Sequence, residues 1–287
     1  MIEDFSALRQ RMRVIAEMAR LPLRSGFWSG INGSINGQGT GSSLDFQDQR
    51  PYVPGDDPRH INWQAYARNG SYTMKLYRQE VSPRVDLVVD ISPSMFISPA
   101  KTQRVWELAY FAVESALQLG ASLKVHAVGT QSHEIPLAQV MGGKWGLNDE
   151  QPGSPEGPRL ELTPLRPGAL RVLVSDLLFP AAPERVTLPL IAQRGRGILL
   201  APFCKDEAEP DWQGNIDFED AETSRRDRRR VPPATRERYL QAYRRHFELW
   251  REPCLRQGIA FARVASEPEF INALRAEAAA SGAVEMT

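Results

Sequence analysis

Five short apolar runs, at 85–89, 123–128, 170–174, 198–203 and 259–264, narrow the possible folds of this chain more than any other feature. Each is too short for a helix and dense in Val, Leu and Ile. Strands buried on both faces read as such continuous runs, whereas a strand with one wet face alternates. Between the first two, 102–119 places Val105, Leu108, Ala109, Ala112, Val113 and Ala116 at helical spacing, which predicts a crossover helix with one apolar face. Further helices are predicted over 184–194, 235–256 and 267–280, the middle one turning Tyr239, Tyr243, Phe247 and Trp250 to the core. A short strand is expected over 132–137. Strands alternating with helices imply an α/β fold, with a mostly parallel central sheet covered by helices on both faces.

The first part of the chain reads differently. A helix is predicted over 5–21, ended by Pro22; 25–41 is rich in Gly, Ser and Asn; and 72–81 suits a strand leading toward the core, with Met74, Leu76 and Tyr77 as candidates for burial. The expected division is a helix and β-containing annex over 1–82 and the α/β domain over 83–287, within reach of a chain of 287 residues that is 42% hydrophobic. Two stretches interrupt the later rhythm: a Gly/Pro-rich loop at 142–158, and 205–230, which runs acidic and then basic to Arg228-Arg229-Arg230. The second reads as a solvated loop, with a docking surface as the alternative.

Charge and cysteine content exclude several functions. Lys and Arg number 35 and Asp and Glu also 35, so the excess positive charge that phosphate neutralisation needs is missing, and no nucleic-acid partner is expected. Cys204 and Cys254 form no CxxC or Cys/His pattern, which points away from zinc and from a disulfide framework. The N-terminus begins acidic, and no apolar run reaches the roughly 18 residues of a membrane span, so direct membrane insertion is not expected and a cytoplasmic location is.

Asp90-Ile91-Ser92-Pro93-Ser94 follows the first core strand, where open α/β sheets place their ligands. One carboxylate and two hydroxyls in a single turn are hard oxygen donors suited to Mg²⁺ or Mn²⁺ and not to zinc. Asp176 follows the 170–174 strand and is a second candidate for the same crevice. The alternative is structural, with the serine hydroxyls capping a turn. Upstream, Pro54-Gly55-Asp56-Asp57-Pro58 is a turn, and Arg59 and Arg68 could pair with Asp56, Asp57, Asp45 or Glu80. With Trp63 as a buried anchor, these residues suggest an ionic clasp between annex and sheet, or else a recognition surface.

The Asp90 motif resembles the metal-ion-dependent adhesion site of von Willebrand factor A domains, in which Asp-x-Ser-x-Ser is followed by a Thr and then an Asp. Asp90, Ser92, Ser94 and Asp176 match; 141–146, where the Thr would fall, has none, leaving Thr163 and Thr130 as the nearest candidates. A longer resemblance runs from Gly39-Thr40-Gly41-Ser42-Ser43-Leu44-Asp45-Phe46 through Arg50-Pro51-Tyr52-Val53-Pro54-Gly55-Asp56-Asp57-Pro58-Arg59-His60-Ile61-Asn62-Trp63, Ala67-Arg68 and Glu80, then resumes at Glu209-Pro210, Gly214 and Asp220-Ala221-Glu222. These motifs are similar to those of the bacterial "domain of unknown function 58" family. That resemblance implies a von Willebrand factor A-like (Rossmann-like) fold and a non-catalytic, metal-assisted adaptor working with a MoxR-type AAA+ ATPase on a client protein. No GxxxxGK[ST] occurs, so any ATP site belongs to the partner. A metal-free scaffold and a metal-dependent hydrolase are the alternatives; against the latter, Ser92 stands where an aspartyl phosphotransferase of the haloacid dehalogenase type carries its second Asp.

Overall fold

The computed structural model describes residues 4–23, 44–79, 82–145 and 156–287, with the backbone alone for 44–49, 60 and 75–79. Glu80 and most of the 142–158 loop lie outside the described residues. The chain divides into two compact units, one of residues 25–82 and one of 1–24 with 83–287.

The larger unit is built on a six-stranded sheet of β4 (Arg84–Asp90), β5 (Ser122–Val128), β6 (Ser132–Ile135), β7 (Leu170–Val174), β8 (Arg196–Phe203) and β11 (Ala260–Ala265), in the order β11-β8-β7-β4-β5-β6. All pairings are parallel except β5 with β6, where Val125 faces Ile135 across a tight antiparallel turn. The five apolar runs are the five parallel strands. Successive residues of β4 and β7 are buried on both sides, as continuous apolar sequence requires. Val88, Leu173, Leu199 and Phe261 share one core cluster with Val186 and Leu190 of α5 (Glu184–Ile191) and Tyr243, Phe247 and Trp250 of α7 (Pro233–Arg256). The alternate residues Leu87, Val89, Val172 and Leu200 are equally buried on the other face, where α3 (Pro99–Gln118) crosses β4, β5, β7 and β8.

Helix α3 is buried nearly all round, beyond the single apolar face its spacing predicts. Its outer side is covered by α1 (Phe5–Met18), which starts at an Asp4 cap and buries Leu8, Met12 and Ala16. Arg9 pairs with Glu114 at 2.6 Å and Arg11 with Glu107 at 2.5 Å, so the charges that interrupt the apolar pattern of α3 are answered from α1. The N-terminal helix expected in the annex therefore belongs to the sheet unit. Beyond it, β1 (Ala19–Arg20) pairs with β12 (Glu285–Met286).

An ionic pin fixes the opposite end of the sheet. Asp86, fully buried on β4, accepts from Arg166 Nε at 2.6 Å and from its backbone N–H at 2.6 Å, while Arg166 Nη2 donates to the carbonyls of Val85 and Ser122.

The charged stretch expected as a loop is instead α6 (Lys205–Ala208) followed by an antiparallel hairpin of β9 (Gly214–Glu219) and β10 (Arg226–Val231). Alternating acids on β9 face the arginines of β10, with Glu219 on Arg226 at 3.0 Å and Asp217 on Arg228 at 3.3 Å. Opposite charges across the two strands hold what reads in sequence as a run of solvated charge.

The smaller unit contains β2 (Leu44–Pro51) paired antiparallel with β3 (Thr73–Gln79), and between them α2 (Trp63–Asn69), capped by Asn62 and ended by Gly70 at φ +68°. The strand expected to lead toward the core thus forms its own two-stranded sheet. Asp56 is held by Arg50 through two bonds of 2.7 Å, and Asp57 by Arg59 at 2.6 Å on an exposed surface. Both pairs close within the unit. Arg68 is exposed and makes no ion pair among the described residues. Trp63, expected as a buried anchor, is 57% exposed and packs edge-on against Tyr66 and Tyr72, because its helix has no buried residue.

Candidate functional site

Strand order reverses between β4 and β7: the chain leaves β4 toward β5 on one side and returns to β7 on the other. The carboxyl ends of these two strands, where open α/β sheets place a ligand crevice, carry Asp90 and, two residues past β7, Asp176. Both side chains are buried, at 0% and 2% exposure.

The turn after β4 is organised around Asp90. Its Oδ1 accepts the Ser92 N–H at 2.9 Å and its Oδ2 accepts the Ser175 hydroxyl at 2.6 Å. Pro93 then opens a short 3-10 turn, and Ser98, not Ser92 or Ser94, caps the following helix by accepting from the Lys101 N–H. The Ser92 and Ser94 hydroxyls lie 3.2 Å apart and cap no helix. The Ser92 hydroxyl instead bonds back to Asp90 within the turn. Burial first, and the nearby Asp176 charge second, raise the Asp90 carboxyl to about 7 against the opposing bonds from Ser175 and Ser92.

Asp176 is held by a tight bend. Its Oδ1 accepts the Leu178 N–H at 3.1 Å across Leu177, a buried residue in the left-handed region at φ +60°. Such strain in a non-glycine residue persists only where surroundings impose it, and it gathers at functional sites. Asp176 Oδ2 meets the ammonium of Lys101 at 2.8 Å, and the same ammonium lies 2.5 Å from Glu207 Oε1. Lys101 is fully buried in the first turn of α3. Burial alone would lower its proton affinity, but Asp176 and Glu207 outweigh it, so the ammonium is held more firmly than in water. Glu207 is fixed in turn by the Cys204 N–H on its Oε2 at 2.8 Å.

Glu222, at the tip of the β9–β10 hairpin, also reaches this turn. Its Oε1 accepts the Ser94 N–H at 3.1 Å, and its carboxyl is shifted upward, chiefly by burial.

Asp90, Ser92, Ser94 and Asp176, predicted from sequence, thus come together. Thr163 does not join them: its hydroxyl bonds Ser132 at 2.9 Å beside the β5–β6 turn, because the Leu160–Leu162 segment is tied to Gly129. Thr130 makes no bond to the set either. Lys101, Glu207, Ser175 and Glu222 were not anticipated as site residues. Only Glu222 had a signal, as part of the Asp220-Ala221-Glu222 motif.

The donors suit a hard divalent ion in kind: two carboxylates and two hydroxyls, all oxygen, with Asp90 already accepting from Ser175 and Ser92. No group of three or more His, Cys, Asp or Glu side chains placed to hold a metal occurs among the described residues, so an ion here depends on the serine hydroxyls. Asp176 is already shared with Lys101.

Residues 48–143 match the family model described as "Protein of unknown function DUF58", a stretch that includes the Asp56 to Arg68 segment, the Asp90 turn and α3 and stops before β7. No curated protein matches the chain in sequence. Among solved structures, an aerotolerance-related membrane protein from Bacteroides fragilis carrying multiple mutations to serines is similar at 15% identity and TM-score 0.38, over 69% of this chain and 97% of that one. The conserved hypothetical protein BatB from Bacteroides thetaiotaomicron is similar at 14% identity and TM-score 0.35, over 70% and 98%. At that level neither assigns a residue role. No described helix is long and apolar enough to cross a membrane.

Proposed function

We propose that this chain, a member of the DUF58 family, uses the crevice at the ends of β4 and β7 to bind protein, with Mg²⁺ or Mn²⁺ held by Asp90, Ser92, Ser94 and Asp176 as the bridge to an acidic side chain of a partner. The observation that supports this reading is the convergence of Asp90 and Asp176, from strands separated by α3, β5, β6 and α4 (Leu137–Met141), beside the Ser92 and Ser94 hydroxyls at the point where strand order reverses. A bound divalent ion supplies positive charge that keeps several waters and takes an outside carboxylate. The protein on this reading supplies the turn that orients the donors. On this reading the chain is a non-catalytic adaptor, and its partners are a MoxR-type AAA+ ATPase and a client protein.

The test is affinity capture with the wild-type chain and with Asp90→Ala. Proteins retained by the wild type and lost from the variant support the reading; capture that is unchanged by the substitution, with Mg²⁺ present, overturns it.

Lys101 favours a second reading, a metal-free scaffold, because its ammonium already neutralises Asp176 from within the chain. Calorimetric titration with Mg²⁺ or Mn²⁺ separates the two: saturable binding abolished by Asp90→Ala belongs to the first, no heat of binding to the second.

A further inference from the structure

The crevice leaves unused the strongest charge feature of the sequence, the run from Arg225 to Arg230. The fold sets this run on β10, which pairs with β9 and with no other strand among the described residues. Its far edge is therefore open. The Asp220 N–H donates to the Arg225 carbonyl at 2.9 Å, and antiparallel bonding alternates from that pair, so Asp227 and Arg229 turn their backbone groups toward β9. Arg226, Arg228 and Arg230 turn theirs outward, where no backbone bond reaches them among the described residues. An edge of this kind is a template for one more strand.

Side chains decide which strand it admits. β10 carries four arginines and one aspartate in six residues, whereas β9 carries Asp217 and Glu219 and no base. Phe218 meets Trp212, which packs against Tyr239 of α7, so the hairpin rests on that face. Arg226 and Arg228 stand on the other, 80% and 76% exposed, with Glu219 and Asp217 beside them. Arg230 lies opposite Asn215 and has no ion pair among the described residues.

Strand β9 thus displays, on the inner side, what these arginines accept: an extended segment with an acid at every second residue. The outer side offers the same three guanidinium groups to a second strand of that kind. It disfavours a basic strand, because like charges directly opposite destabilise a pair.

We infer that the open edge of β10 is a docking site for an extended acidic segment of a partner protein, with a carboxylate at every second residue. The segment adds a strand to the hairpin: main-chain bonds to Arg226, Arg228 and Arg230 hold it, and their guanidinium groups select it. The hairpin tip reaches the Ser94 turn, so the docked strand runs outward from the crevice. The inference goes beyond the ion-assisted reading and does not rest on it, since no ion takes part.

The experiment is fluorescence anisotropy in EDTA, with the full chain and a short labelled peptide of alternating glutamate and valine. Saturable binding that weakens with salt is expected, whereas a peptide with its glutamates in one block, or with lysine for glutamate, should fail to saturate over the same range. N-methylation of the glutamate amides and of the valine amides blocks opposite edges of the peptide, so one should abolish binding and the other spare it. Arg230→Ala, which breaks no in-chain ion pair, should weaken binding about two- to fivefold, the worth of one exposed pair, with the urea midpoint unchanged. Absence of binding overturns the inference, as does equal affinity of the alternating and block peptides, of the two methylated peptides, or of Arg230→Ala and wild type. A chain that binds no peptide but self-associates in sedimentation, and is monomeric as Arg230→Ala, assigns the edge to β9 of a second copy and also overturns it. With no divalent ion present, none of these outcomes alters the reading of the crevice.

Discussion

Replacing Lys101 by Met should destabilise the larger unit by about 3–5 kcal/mol, the usual cost of leaving a buried charge without its partner. The magnitude follows from burial. The Lys101 side chain is fully inaccessible, Asp176 is 2% exposed and Glu207 10%, so little solvent screening is available once the ammonium is gone. Methionine nearly preserves the length of the chain, which keeps packing loss small and makes the measurement electrostatic. Urea or thermal unfolding in EDTA, so that no added cation stands in for the ammonium, should show a drop in midpoint of roughly 6–20 °C for a unit of this size. The double variant Lys101→Met/Asp176→Asn should lose less than the sum of the two single changes, because the second removes the charge that the first strands; a coupling of about 1–3 kcal/mol is expected for residues in direct contact. A Lys101→Met chain within about 1 kcal/mol of wild type, or strictly additive single and double variants, would show that this ammonium does not neutralise the crevice and would remove the ground for treating it as the internal counter-charge of Asp176.

Two further outcomes bear on the same framework. Because the folded chain raises Asp90 to about 7, it holds a proton that the unfolded chain releases near pH 4; stability should therefore fall as pH rises from about 4 to 7 and level off above. In EDTA, Asp90→Asn should gain on the wild type across that window in thermal melts, and parallel melting curves at pH 4 and pH 8 would refute the assignment. At the other end of the sheet, Arg166→Met strands buried Asp86 and frees the Ser122 carbonyl, for an expected loss of about 3–5 kcal/mol in urea unfolding; a loss below about 1 kcal/mol would show that the pin is dispensable.

Much of this architecture is legible in the residues themselves. Val85 to Val89 and Leu170 to Val174 can only be strands covered on both faces, and once they are parallel the end of β4 is where a ligand site falls, so Asp90 and Asp176 are found from pattern alone. What pattern does not reveal is what comes from far along the chain. Lys101 looks like an ordinary first-turn lysine, and its burial depends on Glu207, whose own position depends on α6 following β8. Arg225 to Arg230 reads as solvated charge because the acids that answer it sit on a neighbouring strand, not at helical or local spacing. Trp63 misleads in the opposite direction: aromatic character suggests burial, but α2 is a short capped turn with no buried residue. Thr163 fails as a fourth site residue because the segment that carries it is tied to the β5–β6 turn, a constraint that spacing does not express.

The Ser94 to Glu222 contact spans 128 residues of chain. At a synthesis rate of roughly 5–20 residues per second, the strand that carries Asp90 emerges about 6–26 s before the hairpin tip that meets it. During that interval the serine turn exists without the Glu222 contact, and the carboxylates of Asp176 and Glu207 arrive in sequence after it. A nascent chain thus passes through a period in which the Ser94 amide lacks the Glu222 carboxylate that accepts from it in the folded chain. The contact joins the turn after the first core strand to a hairpin made only after β8, so a folding factor acting during synthesis meets a different surface at Ser94 from the one a partner meets afterwards.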